Sequence, residues 1–159
     1  MPNVISNTTP LQYLPQIGQL NLLPRLCGTI RVPRAVVDEL AVGHSRGISL
    51  PHVAACSWID VCDVDPDSAN SFPILGGGEA EVLALARTIP DALVLLDDAE
   101  ARRTAFDLGL AVRETLGVLL DAKRAGLIPA ATPLLDQLHG CGFRLSPATR
   151  RTIIELAEE

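Results

Sequence analysis

Two aspartates, Asp97 and Asp98, close the apolar run "ALVLLDD" at residues 92–98. An uninterrupted apolar run is the signature of a strand buried on both faces. Acids placed right after such a strand sit where strand ends open to solvent. Five other residues hold comparable positions. Asn7 follows the first apolar segment, "NVIS". Glu39 lies in the helix after the second strand, Glu79 begins the helix after "LGGG", and Glu114 with Thr115 follows a later strand. Carboxylates gathered at one edge repel one another unless they are protonated or bridged by a cation. A donor set made only of oxygens suits Mg²⁺ or Mn²⁺ rather than zinc.

Each acid also has a plainer role open to it. Glu79 can serve as a first-turn acid favoured by the helix dipole. Glu39 can be a solvated helix residue. Asp98 can cap the next helix and pair with Arg102 four residues on. Other chemistries fail on composition. "LGGGEAE" lacks the lysine and Ser/Thr of a phosphate loop, so its glycines read as a mobile entry to the helix. His44, His52 and His139 have no Ser or Cys partner pattern. Cys27, Cys56, Cys62 and Cys141 fit no zinc spacing and read as small apolar thiols.

The elements that must carry these residues alternate along the chain. Strands are predicted at Asn3–Ser6, Thr29–Val32, Trp58–Val64, 92–98 and Leu110–Arg113, with a short one near Phe143–Leu145. Helices are predicted from Thr8 to Gly18, and over Leu20–Leu26, Pro33–Val42, Glu79–Thr88, Glu100–Leu108, Leu116–Ala125, Ala131–Leu138 and Pro147–Glu158. The Thr8 and Thr9 hydroxyls are placed to cap the first helix. Gly43–Pro51 and Asp65–Gly78 read as loops. The fold class is therefore α/β, a three-layer α/β/α sandwich with a mostly parallel central sheet. Right-handed crossovers then bring every strand C-terminus to one edge, where ligands of such sheets bind.

With 159 residues the chain reads as a single domain, 1–159, with its core at about residues 3–146 and a C-terminal helix at 147–158. A domain of this size buries roughly 70% of its unfolded surface. Aromatic residues are only 3%, so Leu, Val, Ile and Ala must fill the core. The net charge of −6 argues against binding nucleic acid by bulk attraction, though a bound cation would reverse the local sign. Met1–Ser6 has no signal-peptide character, and no run approaches ~18 apolar residues. A cytoplasmic protein with reduced thiols and no membrane association is expected.

Five segments, taken together and in order, carry a resemblance. They are "VISNTTPLQYLPQIGQLNLL", "VPRAVVDEL", "GGGEAEVLALA", "VLLDDAEARRTAFDLGLAV" and "TLGVLLDAKRAGLIP". They resemble PIN-domain proteins, and more closely a VapC-toxin-like subfamily sharing the GE-helix and the DD-x-x-A-R segment. The resemblance implies a metal-dependent endoribonuclease that uses Mg²⁺ or Mn²⁺ and a water nucleophile on RNA. It further implies a homodimer and a small antitoxin partner. By position, Asn7 falls where the first family acid usually sits, Glu39 on the second, Glu79 on the third, and Asp97 or Asp98 on the fourth. Asn7 and Thr8 would orient water or phosphate, and Thr115 would donate to the same water shell. Glu39, Glu79, Asp97 and Asp98 are the expected metal ligands, with Asn7 and Glu114 as further candidates.

Two departures mark this chain. Asn7 offers a neutral carbonyl where an aspartate is usual, and Glu114 stands where a small residue is expected. Glu114 is a candidate to restore the charge missing at Asn7. The alternative reading is a catalytically weakened PIN fold that binds RNA or a protein. A phosphatase of the haloacid-dehalogenase type needs an Asp nucleophile after the first strand, which Asn7 cannot supply. A response-regulator receiver needs its acid pair near that strand, not at residue 97.

Overall fold

The computed structural model describes residues 2–48 and 50–159. Met1, within the segment read for a signal, and Ser49, within the expected loop Gly43–Pro51, lie outside the described residues. The strands are β1 (Asn3–Ser6), β2 (Ile30–Pro33), β3 (Ile59–Cys62), β4 (Ala92–Leu95) and β5 (Ala111–Arg113). The helices are α1 (Thr8–Gln16), α2 (Leu22–Cys27), α3 (Arg34–Ser45), α4 (Pro66–Ala69), α5 (Gly77–Ala86), α6 (Ala99–Asp107), α7 (Thr115–Arg124), α8 (Thr132–Gly140) and α9 (Pro147–Leu156).

The strands form one sheet in the order β3-β2-β1-β4-β5, and each of its pairings is parallel. The expected "mostly parallel" sheet is thus parallel throughout the described residues. β1 lies at the centre, and Val4, Ile5 and Ser6 are buried. β3 is an edge strand with Asp60 exposed, and it is shorter than the predicted Trp58–Val64. Ile59 to Cys62 lie in register with β2, and the Trp58 carbonyl accepts from the Ile30 N–H just before them.

Local chemistry explains most boundaries. Gly18 and Gly109 adopt φ of +70° and +74°, the left-handed region that side chains disfavour, and so stop the segments before them. α5 is buried almost all round, through Gly78, Ala80, Val82, Leu83, Ala84 and Ala86. A helix apolar on every face belongs inside, and α5 packs on β1, β2 and β4 and against α3, α4 and α6. Removing a large side chain from such a place costs about 2–5 kcal/mol. That packing fixes the first turn of α5, which carries Glu79.

Two expectations fail. Phe143–Leu145 forms no strand: Phe143 buries its ring edge-on against Tyr13, 5.1 Å between centroids, and its N–H closes α8 on the Leu138 carbonyl. The alternating Phe-Arg-Leu pattern reflects burial of one ring, not strand pairing. The expected loop Asp65–Gly78 contains α4, capped by Asp65, which accepts from the Asp67 N–H at 3.0 Å. Among the described residues, no helix is long and apolar enough to cross a membrane.

Candidate metal centre

The parallel topology delivers the ends of β1, β4 and β5 to one edge. Asn7 extends β1 by one bond, its N–H donating to the Leu95 carbonyl at 3.1 Å. Its side chain is only 2% exposed. The Asn7 amide nitrogen donates to Glu79 Oε1 at 3.2 Å. Its Oδ1 is buried and accepts no hydrogen bond. A buried carbonyl left unpaired costs about 1–3 kcal/mol, so native structures contain few.

Glu39 meets this carbonyl from α3. The Thr8 hydroxyl donates to Glu39 Oε2, and the Gly78 N–H donates to Glu39 Oε1 at 2.9 Å. A methyl group built on Gly78 would lie 2.8 Å from each Glu39 oxygen and 2.9 Å from Asn7 Oδ1. Those three oxygens therefore face one small space above the α5 backbone. Thr8 does not cap its own helix, as its sequence position had suggested. Its hydroxyl fixes Glu39 instead, and α1 has no side-chain cap at its N-terminus.

The second group lies at the ends of β4 and β5. Both Asp97 oxygens accept from Thr115: Oδ1 from the N–H at 3.0 Å, Oδ2 from the hydroxyl at 2.6 Å. Thr115 is fully buried. Burial pushes the Asp97 carboxyl above the ordinary aspartate range. The two Thr115 bonds oppose that rise, Glu114 adds to it, and Arg102 reduces it. Asp98 is exposed and caps α6, accepting from the Ala101 N–H at 2.9 Å. Glu114 pairs with Arg102 at 2.9 Å in a half-exposed bridge. Bridges of that exposure contribute about 0–1 kcal/mol.

The single ring of acids expected from the sequence is thus divided. Glu39 and Glu79 join Asn7 and Thr8 around Gly78. Asp97 turns to Thr115, Asp98 to the α6 N-terminus, and Glu114 to Arg102. Arg102 was expected as a partner for Asp98; Glu114 takes it. Among the described residues, no group of three or more His, Cys, Asp or Glu side chains is placed to hold a metal ion. The set around Gly78 has two carboxylates, an amide carbonyl and a hydroxyl. It still fits a hard divalent cation: every donor is oxygen, one buried carbonyl lacks a partner, and the space is bounded by convergent oxygens.

Gly78 is the member that the sequence reading missed. Its signal was the glycine triplet, read there as flexibility. A cavity of about 620 Å³ borders Arg102, Glu114, Phe106, Leu116, Ile153 and Leu156, away from Asn7, Glu39 and Glu79. The four cysteines are free and partly buried, and burial lifts the Cys27 thiol to about 11, which keeps it protonated. His44 and His52 are exposed and stack edge-on at 4.4 Å, and neither touches the acids.

Comparison with known proteins agrees with this architecture. The family model described as PIN domain matches residues 3–159, nearly the whole chain. No curated protein matches it.

Proposed function

The chain belongs to the PIN-domain family, whose members are generally nucleases, and on that premise we propose that it is a Mg²⁺- or Mn²⁺-dependent endoribonuclease. The observation that carries this reading is the buried, unpartnered Oδ1 of Asn7, which shares one small space with the Glu39 carboxylate while the Asn7 amide nitrogen holds Glu79. Glu39, Glu79 and the Asn7 carbonyl would hold the ion. Bound there, it supplies Lewis acidity toward water and counter-charge for a phosphodiester. Thr8 and the Gly78 N–H fix the Glu39 carboxylate. Asp97, held by Thr115 at the neighbouring strand end, is less acidic than an ordinary aspartate and suits a proton acceptor. The motif resemblance extends the proposal to a toxin restrained by a small antitoxin and acting as a homodimer.

A second reading is a binding module that has lost catalysis. The amide at Asn7 and the net charge of −6 favour it. One experiment separates the two. Chelator-treated protein and its Glu79→Gln variant are titrated with Mn²⁺ by calorimetry, then tested on a mixed RNA pool. The nuclease reading expects binding and Mn²⁺-dependent cleavage by the parent, with affinity at least tenfold weaker in the variant. A parent that binds RNA yet neither takes up Mn²⁺ nor cuts would overturn it in favour of the module.

A further inference from the structure

Three glycines, Gly76, Gly77 and Gly78, open α5, and none of them has a positive φ. Gly76 sits at φ −61° and ψ 160°, ordinary extended backbone for any residue. The backbone therefore does not demand glycine here. What differs among the three is the space where a side chain would begin. A Cβ on Gly78 would meet both Glu39 oxygens at 2.8 Å and Asn7 Oδ1 at 2.9 Å. A Cβ on Gly76 would meet Glu79 Oε2 at 2.5 Å. A Cβ on Gly77 would find only the Ala35 Cβ, at an ordinary 4.0 Å.

We infer that Gly78, and to a lesser degree Gly76, are positioning residues: the missing side chain of each lets the acids of the candidate metal centre close on the α5 backbone, while Gly77 has no such role. This rests on the metal-centre reading above. Gly78 matters most because the oxygens it faces cannot retreat freely. Glu39 is pinned by the Thr8 hydroxyl and by the Gly78 N–H itself. Asn7 is buried and tied to Glu79. Moving either oxygen breaks a bond and widens the space between donors. Gly76 faces one carboxylate tip, which can swing aside at lower cost.

The triplet supplies its own control. Alanine replaces each glycine in turn, with circular dichroism to confirm the fold. Each variant is melted in chelator and then titrated with Mn²⁺. Alanine favours a helix over glycine, so Gly77→Ala should raise the midpoint by about 2–4 °C and keep the parent's Mn²⁺ affinity. Gly78→Ala should lose that gain and weaken Mn²⁺ binding at least tenfold. Gly76→Ala also gives up the N-cap preference for glycine over alanine, so it is read on Mn²⁺ affinity, where it should fall between them. If Gly78→Ala gains as much as Gly77→Ala in chelator, the inference is overturned, whatever the metal data show. If the parent takes up no Mn²⁺, the metal reading fails, and the chelator melts alone still decide whether Gly78 spaces the acids. A Gly78→Ala variant that binds Mn²⁺ like the parent also overturns the inference.

Discussion

Around Asn7, oxygens outnumber the hydrogen-bond donors that serve them, and one buried carbonyl is left over. Around Asp97, both carboxylate oxygens accept bonds from a single threonine. Both groups stand at the same sheet edge, where Asn7 follows β1 and Asp97 follows β4. The first is incomplete by its own bonding and gains from a cation. The second is nearly complete without one. An acid at a strand terminus is therefore not a metal ligand by address alone. Its neighbours decide whether it remains available.

The comparison can be strained from the Asp97 side. Thr115→Val keeps the shape and removes the hydroxyl donor. Hydrogen bonds to charged groups contribute about 1.5–3 kcal/mol, so the variant should melt several degrees lower at pH 7. It should also hold its Asp97 proton to higher pH, seen as a further upward shift in carboxyl titration by NMR. No change in either measurement would mean that Asp97 does not depend on Thr115.

A smaller effect concerns pH. The folded chain holds the Asp97 proton more tightly than the unfolded chain does, because burial raises that carboxyl. Its contribution to stability is therefore greatest below the unfolded aspartate range. It declines as pH rises from there through the folded value, and is flat above it. Asp97→Asn should flatten that decline in urea melts taken across the window. A variant with the parent's slope would place the titrating group elsewhere. The smallest effect belongs to Glu114. Glu114→Gln breaks a half-exposed pair with Arg102 and should change stability by less than about 0.5 kcal/mol in the same melts. A loss of several times that would show that Glu114 is integral to the Asp97 group.

Much of the scaffold was legible in the sequence. Asn3–Ser6 was read to the residue, because a short apolar strand ending at a polar turn has few alternatives. α6 and α7 were read to within a residue of each boundary, and for α6 the marks are Asp98 at its start and Gly109 after its end. The identity of the residues at the edge was also legible, because parallel topology follows from strand–helix alternation. Their partners were not. Whether Glu114 reaches Arg102, or Thr8 reaches Glu39 rather than its own helix, depends on which group is nearest in three dimensions. Local pattern is silent on that. The strand at Phe143–Leu145 was misread for a related reason: one buried ring produces the same alternation as a pleat.

The placement of β1 at the centre of the sheet has a consequence for how the protein is made. Ser6 pairs with Leu95, and Asn7 donates to the Leu95 carbonyl. A ribosome releases the N-terminus first, so the opening strand emerges with only β2 to join and waits for β4. Contacts this distant along the chain form late, because a long loop must close first. Until then Asn7 lacks the Leu95 carbonyl that seats it, and Asp97 and Thr115 are still to come. The acidic edge is thus the product of a nearly finished chain. A nascent fragment halted before β4 carries Asn7, Glu39 and Glu79 without the strand that seats Asn7, and it lacks Asp97 and Thr115 altogether.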